Sequence, residues 1–103
     1  MSDNNFSKAR QELQDLYISS FPQKIAIFKA QLEILQQPDE PDLEELRFAA
    51  HKIAGSAGSY GFPEISDLAR AIDSSIKKKK ILAPDLEALT KSLIEVLEKH
   101  ISE

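Results

Sequence analysis

Cysteine is absent from this chain of 103 residues, which excludes disulfide bonds, thiol chemistry and a zinc site built on thiolates. Histidine is scarce: His51 and His100 lie too far apart for their spacing to indicate a metal site, and we expect none. No stretch approaches the roughly 20 apolar residues that span a bilayer, and the N-terminus lacks the apolar run of a signal peptide. The net charge of −4 argues against general binding to nucleic acid or an anionic membrane. We therefore expect a cytoplasmic protein.

The composition, with 42% hydrophobic and 29% charged residues, is that of an ordinary globular domain. Strand-like alternation and hairpin turn signals are missing, whereas apolar residues recur at helical spacing. The sequence predicts an all-α fold, an antiparallel up-down four-helix bundle with an additional N-terminal helix. We assign one domain to residues 1–103, with residues 1–20 as a helical extension or lid and residues 21–103 as the bundle.

Capping residues and prolines indicate where these helices begin and end. Ser7 is a candidate N-cap of the first helix, and Pro22 suits the first turn of the second. Asp42, with Glu45 three residues on, predicts a capping box for a third helix that runs to Tyr60. The fourth helix begins at Pro63 and ends in the basic run 77–80, and the fifth begins at Pro84.

His51 lies on the third helix, away from its apolar stripe. A helix turns about 100° per residue, so Leu46, Ile53, Ala57 and Tyr60 all fall roughly 180–240° from His51. The imidazole therefore lies on the order of 140° from the centre of the stripe, and we expect it to face solvent.

The residues beside His51 are unusually small for an exposed helix face. Ala54, Gly55 and Gly58 lie three, four and seven positions on, where Glu, Lys and Gln would favour the helix more. Arg47, one turn back, is available for an anion. This pattern indicates a surface on which a partner approaches the ring nitrogen closely.

An exposed imidazole is a good nucleophile near neutral pH because a large fraction of it is uncharged. Without a catalytic pocket of its own, it suits the transfer of a group between partner proteins. Phosphoryl is the obvious group, since its transfer depends chiefly on positioning and charge neutralisation.

At these residues the sequence resembles a known family. "HKIAGSAGSYGF" is similar to the signature of histidine phosphotransfer (HPt) domains, the relay modules of multistep two-component signalling. The positions that match in register are His51, Gly55, Ser56, Ala57, Gly61 and Phe62.

The resemblance implies that His51 exchanges phosphoryl, through Nε2, with aspartates of response-regulator receiver domains. It also implies that Gly55 keeps the approach open and that Ser56 packs the helix. The implied partners include a hybrid histidine kinase. We expect no cofactor on this chain, with Mg²⁺ only on the receiver, and we expect a monomer without kinase activity of its own.

Two positions depart from the family pattern. The family lysine three residues after the histidine is Ala54 here, and our hypothesis is that Arg47 or Lys52 covers part of its role. A glutamine that often touches the imidazole is replaced by Asp73. This carboxylate either accepts a hydrogen bond from Nδ1 or is a solvated acid.

Phe48 and Phe62 are candidate docking contacts together with Ala54 and Gly58, although either ring could equally tuck into the bundle. The lysine run 77–80 either binds an anionic partner or completes a helix C-terminus, where cations are favoured. The alternative function is a helical adaptor that binds a receiver or kinase without carrying phosphoryl.

Overall fold

The computed structural model describes residues 2–38, 41–79 and 83–102, and these ranges contain helices and no strands. The five helices are α1 (Ser2–Ile18), α2 (Phe21–Leu35), α3 (Glu44–Ser56), α4 (Pro63–Lys78) and α5 (Ala83–Ser102). No helix in the described part of the chain is long and apolar enough to cross a membrane.

Helices α2 to α5 form an antiparallel four-helix bundle. Helix α3 packs against α4, α4 against α5, α5 against α2, and α2 against α3, so each helix has two neighbours. The predicted apolar stripes supply most of the core, because residues three and four apart share one helix face. The largest side chains with almost no exposed surface are Phe21, Phe28, Leu46, Ile65, Ile72, Leu86, Leu93, Leu97 and Thr90.

Several predicted helix starts need correction. Helix α1 begins at Ser2, so Ser7 lies inside it and is not the N-cap. The Asp42 carboxylate accepts the Glu44 amide N–H at 3.0 Å, not that of Glu45. The Glu45 side chain instead accepts a hydrogen bond from Gln31 Nε2 at 3.0 Å, so no capping box forms. Proline does occupy the first turn of α2 and of α4, as predicted.

Helix α3 ends at Ser56, before the predicted Tyr60, and a tight corner leads into α4. The Phe62 N–H donates to the Ala57 carbonyl at 2.9 Å, and the Gly61 N–H donates to the Gly58 carbonyl at 3.1 Å. This paired pattern is a Schellman motif, which requires a left-handed residue. Gly61 provides it with φ of 89°. After this corner, α4 runs antiparallel to α3 and packs against it.

Ser66 ties α4 to α3 just beyond this corner. Its hydroxyl donates to the Ala54 carbonyl at 2.8 Å, although the residue is almost fully buried. The bond satisfies a carbonyl at the end of α3 and holds the two helices in register. That register brings the middle of α4 beside His51.

Helix α1 joins the bundle through its C-terminal turns. Tyr17 stacks on Tyr60 with ring centroids 4.4 Å apart, and its hydroxyl lies 2.7 Å from Ser56 Oγ. Leu13 and Leu16 stay exposed at 53% and 68%. The molecule measures 57 × 25 × 17 Å, so α1 extends along the bundle axis. None of the α1 residues whose side chains the structure describes lines the open space beside His51. Of the two predicted roles for α1, this arrangement agrees with the extension and not with the lid.

Lys77 and Lys78 form the last turn of α4, and Lys79 ends the helix in a left-handed conformation. Their position agrees with the helix-end interpretation of the basic run. Lys80 lies outside the described residues. His100 packs edge-on against Phe62, with ring centroids 5.0 Å apart.

Candidate functional site around His51

His51 projects from the outer face of α3, with 67% of its side chain exposed. The angular prediction from the apolar stripe is therefore confirmed. Leu46 and Ile53 lie on the opposite, buried face of the same helix. The imidazole consequently stands on the surface while its helix is anchored in the core.

Asp73 on α4 fixes one side of the imidazole. Its Oδ2 lies 2.8 Å from His51 Nδ1, a hydrogen-bond distance. The Asp73 side chain is only 16% exposed, which rules out the alternative of a solvated acid. A carboxylate accepts hydrogen bonds, so Nδ1 carries the proton and Nε2 has the free lone pair in the neutral ring.

Arg47 lies behind the carboxylate. Its Nη1 is 3.5 Å from Asp73 Oδ1, and its Nη2 is 3.2 Å from Glu44 Oε2. Asp73 Oδ1 is buried and accepts no hydrogen bond from the described residues, so the Arg47 contact is an ion pair. The hydrogen bond that Arg47 donates to Glu44 and the negative charge of Glu44, and after them the charge of Asp73, raise the pKa of Arg47 above its ordinary value. Arg47 thus supports the Nδ1 side of the ring, opposite the free nitrogen.

An open depression of about 200 Å³ lies beside His51. Its lining residues are His51, Ala54, Gly55, Arg70 and Asp73. A Cβ placed on Gly55 would meet nothing within 4 Å, so the glycine is not required by packing inside the protein. The small residues predicted at Ala54 and Gly55 therefore do leave open space next to the imidazole.

Arg70 is the cation that lines this depression, and the sequence prediction missed it. It comes from α4, where its side chain is 62% exposed and its Nη1 lies 3.5 Å from Asp67 Oδ1. The usable signal was its position three residues before Asp73, which places both on one face of α4. The two predicted replacements for the family lysine, Arg47 and Lys52, both lie on α3.

Neither predicted replacement for the family lysine lies in the depression. Arg47 is engaged behind Asp73, as described above. Lys52 lies on the α2 side of α3, where its Nζ is 5.1 Å from the centre of the Phe48 ring. Phe48 is 60% exposed and remains available for the docking role predicted for it.

Three other predicted site residues lie elsewhere. Ser56 points toward α1 and contacts the Tyr17 hydroxyl. Gly58 approaches α4, where an added Cβ would lie 3.6 Å from Ser66 Oγ, and it does not line the depression. Phe62 is only 8% exposed and packs against Phe21, so its prediction as a docking contact is wrong. The ring is buried because it packs among Tyr17, Phe21 and His100 at the end of the bundle.

Within the described ranges, no three His, Asp or Glu side chains converge as metal ligands. The groups that meet at this site are the imidazole of His51, the carboxylate of Asp73 and the side chains of Arg47 and Arg70.

Comparison with protein families identifies the chain. A model of the Hpt domain matches residues 12–101, and the chain belongs to this family. No curated protein and no solved structure matches the chain. The family carries phosphoryl groups in two-component signalling and interacts with receiver domains and kinases.

Proposed function

We propose that His51 accepts a phosphoryl group on Nε2 from the aspartyl phosphate of one receiver domain and passes it to the aspartate of another. The protein thereby serves as the intermediate of a multistep relay, and one of its partners is a hybrid histidine kinase. The observation that carries the proposal is the 2.8 Å contact between His51 Nδ1 and Asp73 on an exposed ring. It leaves Nε2 as the nucleophile.

The chemical step needs little from this chain beyond position. The Nε2 lone pair attacks phosphorus, the P–Nε2 bond forms, and the P–O bond to the receiver aspartate breaks. The aspartate leaves with the electron pair as a carboxylate. Mg²⁺ held by the receiver would neutralise part of the charge. The open depression next to His51 supports close approach by a second protein.

Arg70 supplies the cationic charge that Ala54 lacks. Arg70 lines the same depression as His51, and an arginine can bind phosphoryl oxygens through two parallel hydrogen bonds. Arg47 serves instead to hold Asp73. Phe48 provides an apolar contact at the edge of the docking surface, a role that its exposure supports.

The test is incubation of the protein with a receiver domain, from the same genome, that carries labelled phosphoryl. We expect label on the wild type that is acid-labile and alkali-stable, and no label on His51→Gln. Lys91→Gln, which removes a charge from α5, serves as the control for nonspecific charge effects. Binding to the receiver without any transfer of label would favour the adaptor function instead.

The monomeric state and the cytoplasmic location stay predictions. Sedimentation of the free protein checks the monomeric state.

Transfer of phosphoryl between two receivers through this chain, with both receivers present and no ATP, checks that the chain acts as a carrier rather than as a kinase.

A further inference from the structure

Resting on this proposed function, we infer that Asp73 retains the Nδ1 proton on the phosphorylated ring and so keeps phospho-His51 in its readily transferred form. The starting point is the contact between Nδ1 and Asp73 Oδ2 at 2.8 Å. A carboxylate offers only acceptor atoms, so the pair needs a proton on Nδ1 to form a hydrogen bond.

The transfer step leaves that proton in place. When the neutral imidazole attacks through Nε2, the ring becomes an imidazolium that bears phosphoryl on Nε2 and hydrogen on Nδ1. Loss of the hydrogen would leave a lone pair facing the carboxylate oxygen, with no hydrogen bond between them. An amide at this position would behave differently, because it could turn its N–H toward the bare nitrogen.

The proton controls how easily the P–N bond breaks. With Nδ1 protonated, the group that leaves phosphorus is a neutral imidazole. With Nδ1 bare, it is an imidazolate anion, a far poorer leaving group. A carboxylate that favours the protonated ring therefore extends rapid transfer, and rapid hydrolysis, to higher pH.

The other charges near the ring are cationic and partly paired. On α3, Arg47 contacts Asp73 and is itself bound to Glu44. On α4, Arg70 borders the depression and contacts Asp67. Both guanidinium groups disfavour a cationic ring, but Asp73 holds the only direct hydrogen bond to it among the described residues. We therefore expect the carboxylate to dominate.

The experiment measures loss of phosphoryl from His51 against pH. Wild type, Asp73→Asn and Asp73→Gln are phosphorylated with phosphoramidate, a small donor that needs no receiver, and the reagent is then removed. Dephosphorylation is followed by ³¹P NMR from acid to alkaline pH. We expect the rate to fall at a midpoint about one pH unit higher in the wild type than in either variant.

A second comparison uses only the wild type, native and in concentrated urea, where Asp73 is no longer held beside the ring. The native midpoint should again be the higher one. Coincident midpoints in both comparisons, or higher midpoints in the amide variants, would overturn the inference while leaving the carrier function intact. A wild-type protein that takes no label at His51 from phosphoramidate or from a receiver contradicts the proposed function itself.

Discussion

At the residue scale, Gly55 is the position where helix stability and access to His51 oppose each other. It lies in the last turn of α3, and nothing in the protein occupies the space that a side chain would fill. Gly55→Ala should therefore raise the free energy of unfolding by up to about 1 kcal/mol, measured by urea denaturation.

A larger side chain at the same position should interfere with the partner. We expect Gly55→Leu to fold, because leucine is a good helix former, and to slow transfer from a receiver by about tenfold or more. Initial rates with a phosphorylated receiver measure this. Transfer at the wild-type rate would show that the open space is not part of the docking surface.

Arg70 gives the second prediction at this scale. Arg70→Gln removes the guanidinium that borders the depression, and a charged hydrogen bond of about 1.5–3 kcal/mol corresponds to at least a tenfold slower phosphorylation of His51. Arg70→Lys should restore part of the rate. If Lys91→Gln, on α5, slows the reaction as much as Arg70→Gln does, the effect belongs to net charge and not to this site.

His51 and Asp73 were predictable from the sequence, whereas Arg70 was not found. Periodicity within α3 gives the direction of the imidazole, because the angle per residue is nearly constant. Which residues of α4 lie beside His51 depends on the register between α3 and α4. That register is set by the Ser66 hydrogen bond and by the corner at Gly61. Only the resemblance to HPt domains pointed to Asp73, and that resemblance assigned no role to Arg70.

At the scale of helices, apolar spacing predicted each element of the bundle, but it predicted helix ends less well. Asp42 shows why: its carboxylate has more than one amide within reach, and the sequence does not say which one it binds. Phe62 was ambiguous for a related reason, since it lies in the corner where helical periodicity no longer applies. Burial there depends on how α1, α2 and α5 meet.

The corner between α3 and α4 gives a prediction with a matched control. Gly61→Ala places a Cβ on a residue with φ of 89° and 2.5 Å from Gln14 Nε2, so it should lower the free energy of unfolding by about 1–3 kcal/mol. Gly58→Ala makes only an ordinary contact with Ser66 and should change it by less than about 0.5 kcal/mol. Urea denaturation of both variants checks this, and equal losses would mean that the left-handed backbone at Gly61 carries no special cost.

At the scale of the whole molecule, the attachment of α1 distinguishes this chain from a bare four-helix bundle. Its radius of gyration is 15.1 Å, whereas a compact chain of this length has about 13 Å. The difference reflects a helix that projects beyond the bundle and joins it through Tyr17, Tyr60 and Phe62. Tyr17 attaches α1 to Ser56 and Tyr60, and neither of these residues lines the depression beside His51.

The attachment should weaken at alkaline pH, because burial, more than its other contacts, raises the pKa of Tyr17 above the ordinary 10.0. The folded state thus favours the neutral phenol. The contribution of the phenol to the free energy of unfolding is complete below pH 10.0 and is lost as the pH rises through the higher pKa of the folded state. Lys24 acts in the opposite sense, since burial and then Lys52 lower its pKa. Comparison of wild type with Tyr17→Phe isolates the phenol, because both retain Lys24.

We expect hydrogen exchange in the C-terminal turns of α1 to accelerate above pH 10 more in the wild type than in Tyr17→Phe, after correction for the intrinsic rate. Near neutral pH, these turns should exchange faster in Tyr17→Phe than in the wild type, because the variant lacks the hydroxyl contact with Ser56. Tyr60→Phe, which removes a phenol but leaves that contact, should keep the wild-type response. An alkaline response that persists in Tyr17→Phe would assign it to a group other than this phenol.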